Sequence, residues 1–298
     1  MSPAEQPTLG FIGPGTVGTA LARSFANADY AVTAIYGRDP ERRTRAAESV
    51  PGAVAVDSAQ AVVDAADLVF VTVPDDAIRP VTESLTWRRE AAVVHCSGAA
   101  SVDLLDAAAD AGASVGAFHP LQTLAGIDQA MRNLPGSAVA IEASNPALEG
   151  TLGEMARAIG GRPFVLRGDK ALYHASAVLA CNDLVTLLDA AADLWSELGL
   201  SKEEGLRALL PLVRGTIENL DAIGLPDALT GPVARGDVGT VDRNLVALDA
   251  ASPETADLYR ALARRTIPIA RAKGTLSEAA ADTLCERLDS GPRASERQ

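Results

Sequence analysis

Near its start the chain runs Leu9-Gly-Phe-Ile12, then Gly13-Pro-Gly15-Thr-Val-Gly18, then Thr19-Ala-Leu-Ala-Arg-Ser-Phe25. That is an apolar strand, a glycine-rich turn and a helix in immediate succession. Few local patterns restrict a fold so much. Gly13 permits the tight turn out of the strand, Gly15 lets the backbone approach a pyrophosphate, and Gly18 lets the helix pack closely. The N–H groups and the dipole at the helix start then hold negative phosphates. A bare G-x-G-x-x-G often marks only turns. Flanked by strand and helix, it predicts a dinucleotide site formed by Gly13, Pro14, Gly15, Thr16, Val17 and Gly18.

The rest of the first half repeats strand and helix. A second strand, Ala31–Tyr36, ends in Gly37-Arg38-Asp39. At this position an acidic residue bonds the ribose 2′-OH of NAD, whereas an arginine suits the 2′-phosphate of NADP. Arg38, with Arg42 and Arg43 behind it, favours NADP; Asp39 is the residue an NAD site would use. Asp57 or Ser58 is placed to cap a helix over Ala59–Ala66. The run Leu68–Val73 reads as a buried strand ending at Pro74, so the loop Val73–Ile78, with Val73 and Pro74 at its head, is expected beside the cofactor. Further strands follow at Ala91–Val94, Ser114–Phe118, Ala138–Glu142 and Pro163–Leu166, with a helix over Pro146–Ile159. Short alternation of this kind predicts an α/β, doubly wound parallel sheet with extra strands.

From Arg167 onward the pattern changes. The stretch Gly168–Gly199 has no internal proline or glycine and is rich in Ala and Leu, so it reads as one long helix, apolar on most faces and therefore buried in a bundle. Its first turns nevertheless carry Lys170, Tyr173, His174, Cys181 and Asn182. Lys170 and His174 lie four apart on one face. Ser201-Lys-Glu-Glu204 is a capping box that opens the next helix. Gly224-Leu-Pro226 ends it, the turn-rich loop Thr230–Asp237 follows, and helices are expected at Val241–Ala250, Pro253–Lys273 and Ser277–Leu288. The chain therefore divides into a sheet domain over 1–168 and a helical domain over 169–298.

Composition narrows the partners. With 298 residues and 48% hydrophobic content the chain can build two ordinary cores; at 4% aromatic, Ala, Val and Leu are expected to fill them. A net charge of −13 leaves no basic surplus for nucleic acid. Three scattered cysteines suit reduced thiols and a cytoplasmic location. No signal peptide or apolar run long enough for a bilayer is evident, and no membrane partner is expected. Met1–Gln6 and Ser290–Gln298 read as polar, fraying ends. The three histidines, His95, His119 and His174, follow strand ends or sit on the long helix, without metal-ligand spacing. Wide apolar helix faces in the second half favour a homodimer packed through it.

The layout resembles the 6-phosphogluconate dehydrogenase-like superfamily, which includes ketopantoate, pyrroline-5-carboxylate and 3-hydroxyisobutyrate reductases or dehydrogenases. HCSGA at 95–99, GAFHPLQT at 116–123, KALYHASAVLACN at 170–182 and LTGPVARGD at 229–237 are similar to bacterial Rossmann-like proteins whose helical half is a domain of unknown function. The resemblance implies a catalytic role for Lys170, which matches the lysine near the start of the long helix. It places Ser97 where a substrate-binding serine follows its strand, and relates His119-Pro120 to the His-Pro of prephenate dehydrogenases. The asparagine expected four residues after the lysine is His174 here, and Asn182 comes two turns later.

These expectations amount to an enzyme that transfers hydride between NADP and a small carbonyl or imine compound, a carboxylate such as a 2-keto acid. Lys170 or His174 would supply the proton, with His119 a further candidate, and Ser97 and Asn182 would orient the substrate. The rival for Lys170 is a plain ion pair with Asp169 or another carboxylate. The rival for the whole chain is a sensor that binds NADP without turnover.

Overall fold

The structure is a computed structural model that describes residues 6–289; apart from Gln6, the ends expected to fray lie outside the described residues. The chain divides into two compact units, Met1–Cys181 and Asn182–Gln298.

The first unit is built on the strands β1 (Leu9–Ile12), β2 (Val32–Tyr36), β3 (Val54–Ala55), β4 (Leu68–Val71), β5 (Ala92–His95), β6 (Ser114–Pro120), β7 (Ala138–Ala143) and β8 (Arg162–Val165). They form one sheet in the order β3-β2-β1-β4-β5-β6-β7-β8. Between them run the helices α1 (Thr16–Asn27), α2 (Pro40–Glu48), α3 (Ala59–Ala65), α4 (Asp75–Glu83), α5 (Asp106–Asp110), α6 (Ile127–Asn133) and α7 (Pro146–Ala158). Order reverses between β1 and β4, which creates a crevice at the carboxyl ends of those strands. Side chains alternate across the sheet. Leu9, Phe11, Leu68 and Phe70 enter one core, and Ile12, Val69 and Val71 enter the other. A sheet covered on both faces needs such continuous apolar strands.

Three features depart from the sequence expectation. Strand β7 runs antiparallel to β6, with Ala117 opposite Glu142 and His119 opposite Ala140. The segment after Pro74 is the start of α4 and not a loop, because Asp75 and Asp76 suit the positive end of a helix. The core is also more aromatic than composition implied. Phe11 stacks on Phe70 with centroids 4.9 Å apart, and Phe25 and Phe118 pack against the same ring. Few aromatics suffice because they are gathered in one cluster.

The helix α8 (Lys170–Asp193) is the longest among the described residues, and the unit boundary falls within it at Cys181/Asn182. Its first turns therefore belong with the sheet, beyond the expected boundary at 168. Lys170 and Tyr173 anchor them there, through Glu142 and His119.

The second unit continues with α9 (Lys202–Ile223), α10 (Val238–Ala251), α11 (Pro253–Lys273) and α12 (Glu278–Asp289). Ser201 and Glu204 form the expected capping box, and Ser252 caps α11. Val241, Leu245, Ile267 and Leu284 lie in the core of α10, α11 and α12. The buried Arg260 reaches both carboxylate oxygens of Asp249 at 2.7 Å.

The long helix was expected to be buried, and it is not. Leu172, Leu179 and Val185 of α8 are 71%, 69% and 68% exposed, and Leu212, Ile217 and Ile223 of α9 are also exposed. An 18-residue stretch within Lys170–Leu198 reaches a mean hydropathy of 1.4, long and apolar enough by composition to cross a membrane. This corrects the expectation that no apolar run is long enough for a bilayer: Asp183 and Asp189 interrupt the run without bringing its mean down.

Candidate functional site

The glycine turn is held by close backbone contact. Gly13 has φ +107°, and a side chain there would meet the Thr72 carbonyl at 2.7 Å. A Cβ on Gly18 would lie 2.4 Å from both the Gly13 carbonyl oxygen and Thr72 Oγ1. Gly18 thus packs on the turn and the end of β4, more than on its own strand. Thr72 Oγ1 donates to the Gly13 carbonyl at 2.8 Å and locks the two strand ends together. Gly15 differs, since a Cβ there would project into open space. Helix α1 has no side-chain N-cap, so its first N–H groups face the crevice without an internal acceptor. A pyrophosphate fits that vacancy in hydrogen bonding and in charge.

A cavity of about 990 Å³ opens there. Gly13, Pro14, Gly15, Thr16, Val17, Arg38, Val73 and Pro74 all line it, while Gly18 is buried behind. At the end of β2, Arg42 joins Arg38 on the wall. Asp39 lines the cavity beside them and caps α2, its Oδ1 accepting from the Arg42 backbone N–H at 3.1 Å. Arg43 turns away to Asp57 at 2.5 Å and lies over the Tyr36 ring.

Along the same sheet edge, past β4, a second cluster forms at the ends of β5 and β6. His119 Nδ1 lies 2.8 Å from the Tyr173 hydroxyl, with the two rings edge to face. A Cβ on Gly98 would meet the His119 ring at 2.6 Å, so the loop after β5 needs glycine to let the imidazole lie over it. These contacts join the His95–Ala99, Gly116–Thr123 and Lys170–Asn182 stretches. Sequence reasoning named Tyr173 only in passing. No local signal marks it, because its partner His119 lies on β6, 54 positions earlier.

Lys170 does not face this cluster as a free ammonium. It is buried and paired with Glu142, which β7 brings alongside β6. The ion-pair alternative is therefore the observed one, with Glu142 as partner and not Asp169. Asp169 instead accepts from the Ala171 backbone N–H at the start of α8. His174 is half-buried on the same helix. Ser97 Oγ donates to Asp75 at 2.8 Å and accepts from the N–H groups of Ala99 and Ala100, which fills the capacity of a hydroxyl. These bonds shape the loop after β5. Asn182 is exposed and belongs to the second unit.

Burial sets the charge state here. His119 is pushed down to about 4, first by burial and then by the Lys170 charge. His95, buried with its Nδ1 accepting from the Ser97 N–H at 3.2 Å, is likewise lowered to about 4 by burial and then Lys170. Burial pushes the Tyr173 hydroxyl up to about 12. Burial also raises the Cys96 thiol to about 12, which leaves it an inert core group. No group of histidines, cysteines and carboxylates able to hold a metal occurs among the described residues.

Residues 3–120 match the family model of a Rossmann-like domain, and residues 137–266 match that of a domain of unknown function, DUF2520. No curated protein sequence matches the chain. Among solved structures, a protein of Thermotoga maritima is 24% identical, with a TM-score of 0.73 over 90% of this chain and 100% of its own. A proposed NADP oxidoreductase of Bacteroides fragilis is 24% identical, with a TM-score of 0.68 over 89% and 99%. A 1-pyrroline-5-carboxylate reductase of Streptococcus pyogenes is 19% identical, with a TM-score of 0.63 over 90% and 99%. These likenesses show a shared fold.

The two neutral histidines make stability depend on pH. Their folded values lie below the ordinary 6.5, so the unfolded chain binds more protons between about pH 4 and 6.5. Stability is therefore complete above pH 6.5 and falls as pH drops toward 4, by at most about 1.4 kcal/mol per unit for each histidine. Melting temperature measured from pH 7 to 4.5 should decline, and His119→Asn should flatten that decline. An unchanged slope in the variant would show that His119 titrates normally.

Proposed function

We propose that this chain, a Rossmann-like domain joined to a DUF2520 domain, is an NADP-dependent oxidoreductase acting on a small carbonyl or imine compound. The observation that carries the proposal is the cavity at the β1–β4 crevice. It combines an uncapped helix start, a glycine whose missing side chain leaves space, and two arginines at the end of β2. That set fits a pyrophosphate and a 2′-phosphate. When bound, NADPH supplies the hydride. The relatives named above, one an NADP oxidoreductase by proposal and one a reductase of a cyclic imine acid, support the same chemistry.

The chain's own residues divide the work. The glycine turn and α1 hold the pyrophosphate. Arg38 and Arg42 hold the 2′-phosphate; Asp39, which caps α2 through Oδ1, also lines the cavity and is the residue an NAD site would use. With the adenosine half over β1 and β2, the other half of a dinucleotide extends over the ends of β4, β5 and β6. His119 stands there. Lys170 acts by orienting the start of α8 through Glu142, and His174 and Asn182 remain candidates for contact with the substrate.

We further propose a homodimer. The exposed leucines and valines of α8 and α9 need cover, since monomers rarely leave so large an apolar patch in water. A second copy supplies matching faces. A bilayer suits α8 less well, because Lys170 and Tyr173 fix its start to the sheet and three aspartates follow. Sedimentation without detergent should give a dimer; a stable monomer, or a chain that stays dispersed only with lipid, would refute this. The location that fits these proposals is the cytoplasm.

The function is tested by NADPH oxidation at 340 nm against 2-keto acids, ketopantoate and cyclic imines. Turnover is expected, whereas binding without turnover across the panel favours a sensor. Arg38→Asp should weaken NADPH by about 1.5–3 kcal/mol, roughly 10- to 160-fold, and leave NADH nearly unchanged. Equal binding of NADH and NADPH by the wild-type protein would rule out the assignment of Arg38.

A further inference from the structure

The Tyr173–His119 contact points to the source of the proton. We propose that the Tyr173 hydroxyl is the proton donor of the reaction, with His119 as the relay that restores its proton. This rests on the reductase reading above and adds a catalytic residue to it. Three observations carry it. The Tyr173 oxygen and His119 Nδ1 are 2.8 Å apart. Gly98 exists where any side chain would collide with the imidazole, so the loop after β5 is shaped to admit this ring. Both groups sit at the strand ends past the cavity, whereas the nearby cation and hydroxyl are already committed, Lys170 to Glu142 and Ser97 to Asp75.

With its proton on Nδ1, His119 donates to the Tyr173 oxygen and leaves the hydroxyl proton free to point at a substrate. As hydride reaches the carbon of a C=O or C=N bond, the π pair moves to the heteroatom. That atom takes the Tyr173 proton. The phenolate oxygen takes the Nδ1 proton of His119 while Nε2 accepts one from water. The imidazole stays neutral throughout and ends as the other tautomer, and exchange of its ring protons with water returns the proton to Nδ1 before the next turnover. One hydride and one proton are consumed for each double bond. A high tyrosine value and a low histidine value suit this, because both groups rest neutral at pH 7.

The test joins kinetics with a measurement that needs no turnover. Tyr173→Phe should lower kcat by roughly 10²–10⁴ while NADPH affinity stays within about twofold. Replacing Tyr173 by 3-fluorotyrosine, a stronger acid of nearly the same shape, should move the alkaline limb of the kcat profile to lower pH. Nitrogen-15 NMR should find His119 protonated at Nδ1 in the wild-type protein, with that resonance displaced in Tyr173→Phe. Only three histidines need assignment. Near-normal turnover in Tyr173→Phe, or an alkaline limb unmoved by fluorination, overturns the proposal while leaving the reductase reading intact. A wild-type protein that binds NADPH and turns over nothing in the panel overturns the reductase reading itself, and this role for Tyr173 with it.

Discussion

The sheet unit depends on one close approach. Gly18 at the start of α1, the carbonyl of Gly13 and the side chain of Thr72 occupy a space in which no further atom fits. The Thr72 hydroxyl bonds the Gly13 carbonyl across the β1–β4 pair. This single contact fixes three things together: the turn out of β1, the direction of α1, and the end of β4. Because α1 is aimed by that packing and not by a side-chain cap, its N–H groups remain available to an anion. The proposed cofactor site is a consequence of how strand, turn and helix must touch. The stacked Phe11 and Phe70 rings lie on the same two strands and hold them from below.

A second constraint is electrostatic. Lys170 is a buried cation, and burying it is costly unless a partner is present. Glu142 supplies the partner, and the antiparallel β7 puts it in place. The pair pins the start of α8 to the sheet and so sets Tyr173 against His119. Its charge also helps to hold His95 and His119 in their neutral forms, after burial itself. The ion pair thus sets the charge state and placement of its neighbours.

How much of this was legible in the sequence follows from the range of each interaction. The glycine turn, the capping box and the buried strands are local patterns: Gly13–Gly18 and Ser201–Glu204 stand as expected, and the strand expected over Leu68–Val73 is β4, Leu68–Val71. Arg38 also lines the cavity as its place after β2 implied. Contacts between distant segments were not legible. The pairing of Lys170 was hidden because Glu142 lies in a strand whose reversed direction no local pattern betrays. Tyr173 was passed over because its partner, His119, is 54 positions away. Ser97 matched a substrate-binding serine in position, yet its hydroxyl is filled by Asp75 and two backbone N–H groups. The exposure of α8 escaped prediction because an apolar helix reads the same whether its cover is its own chain or another copy.

The central claim is that the turn after β1 and the ends of β2 and β4 form one dinucleotide site within the sheet unit. Hydrogen–deuterium exchange of the wild-type protein with and without saturating NADPH tests it most directly. Protection should appear in peptides covering Gly13–Val17, Arg38–Arg42 and Val73–Ala77, where the chain lines the cavity. No protection in those segments, or protection confined to α10 and α11, would contradict the account.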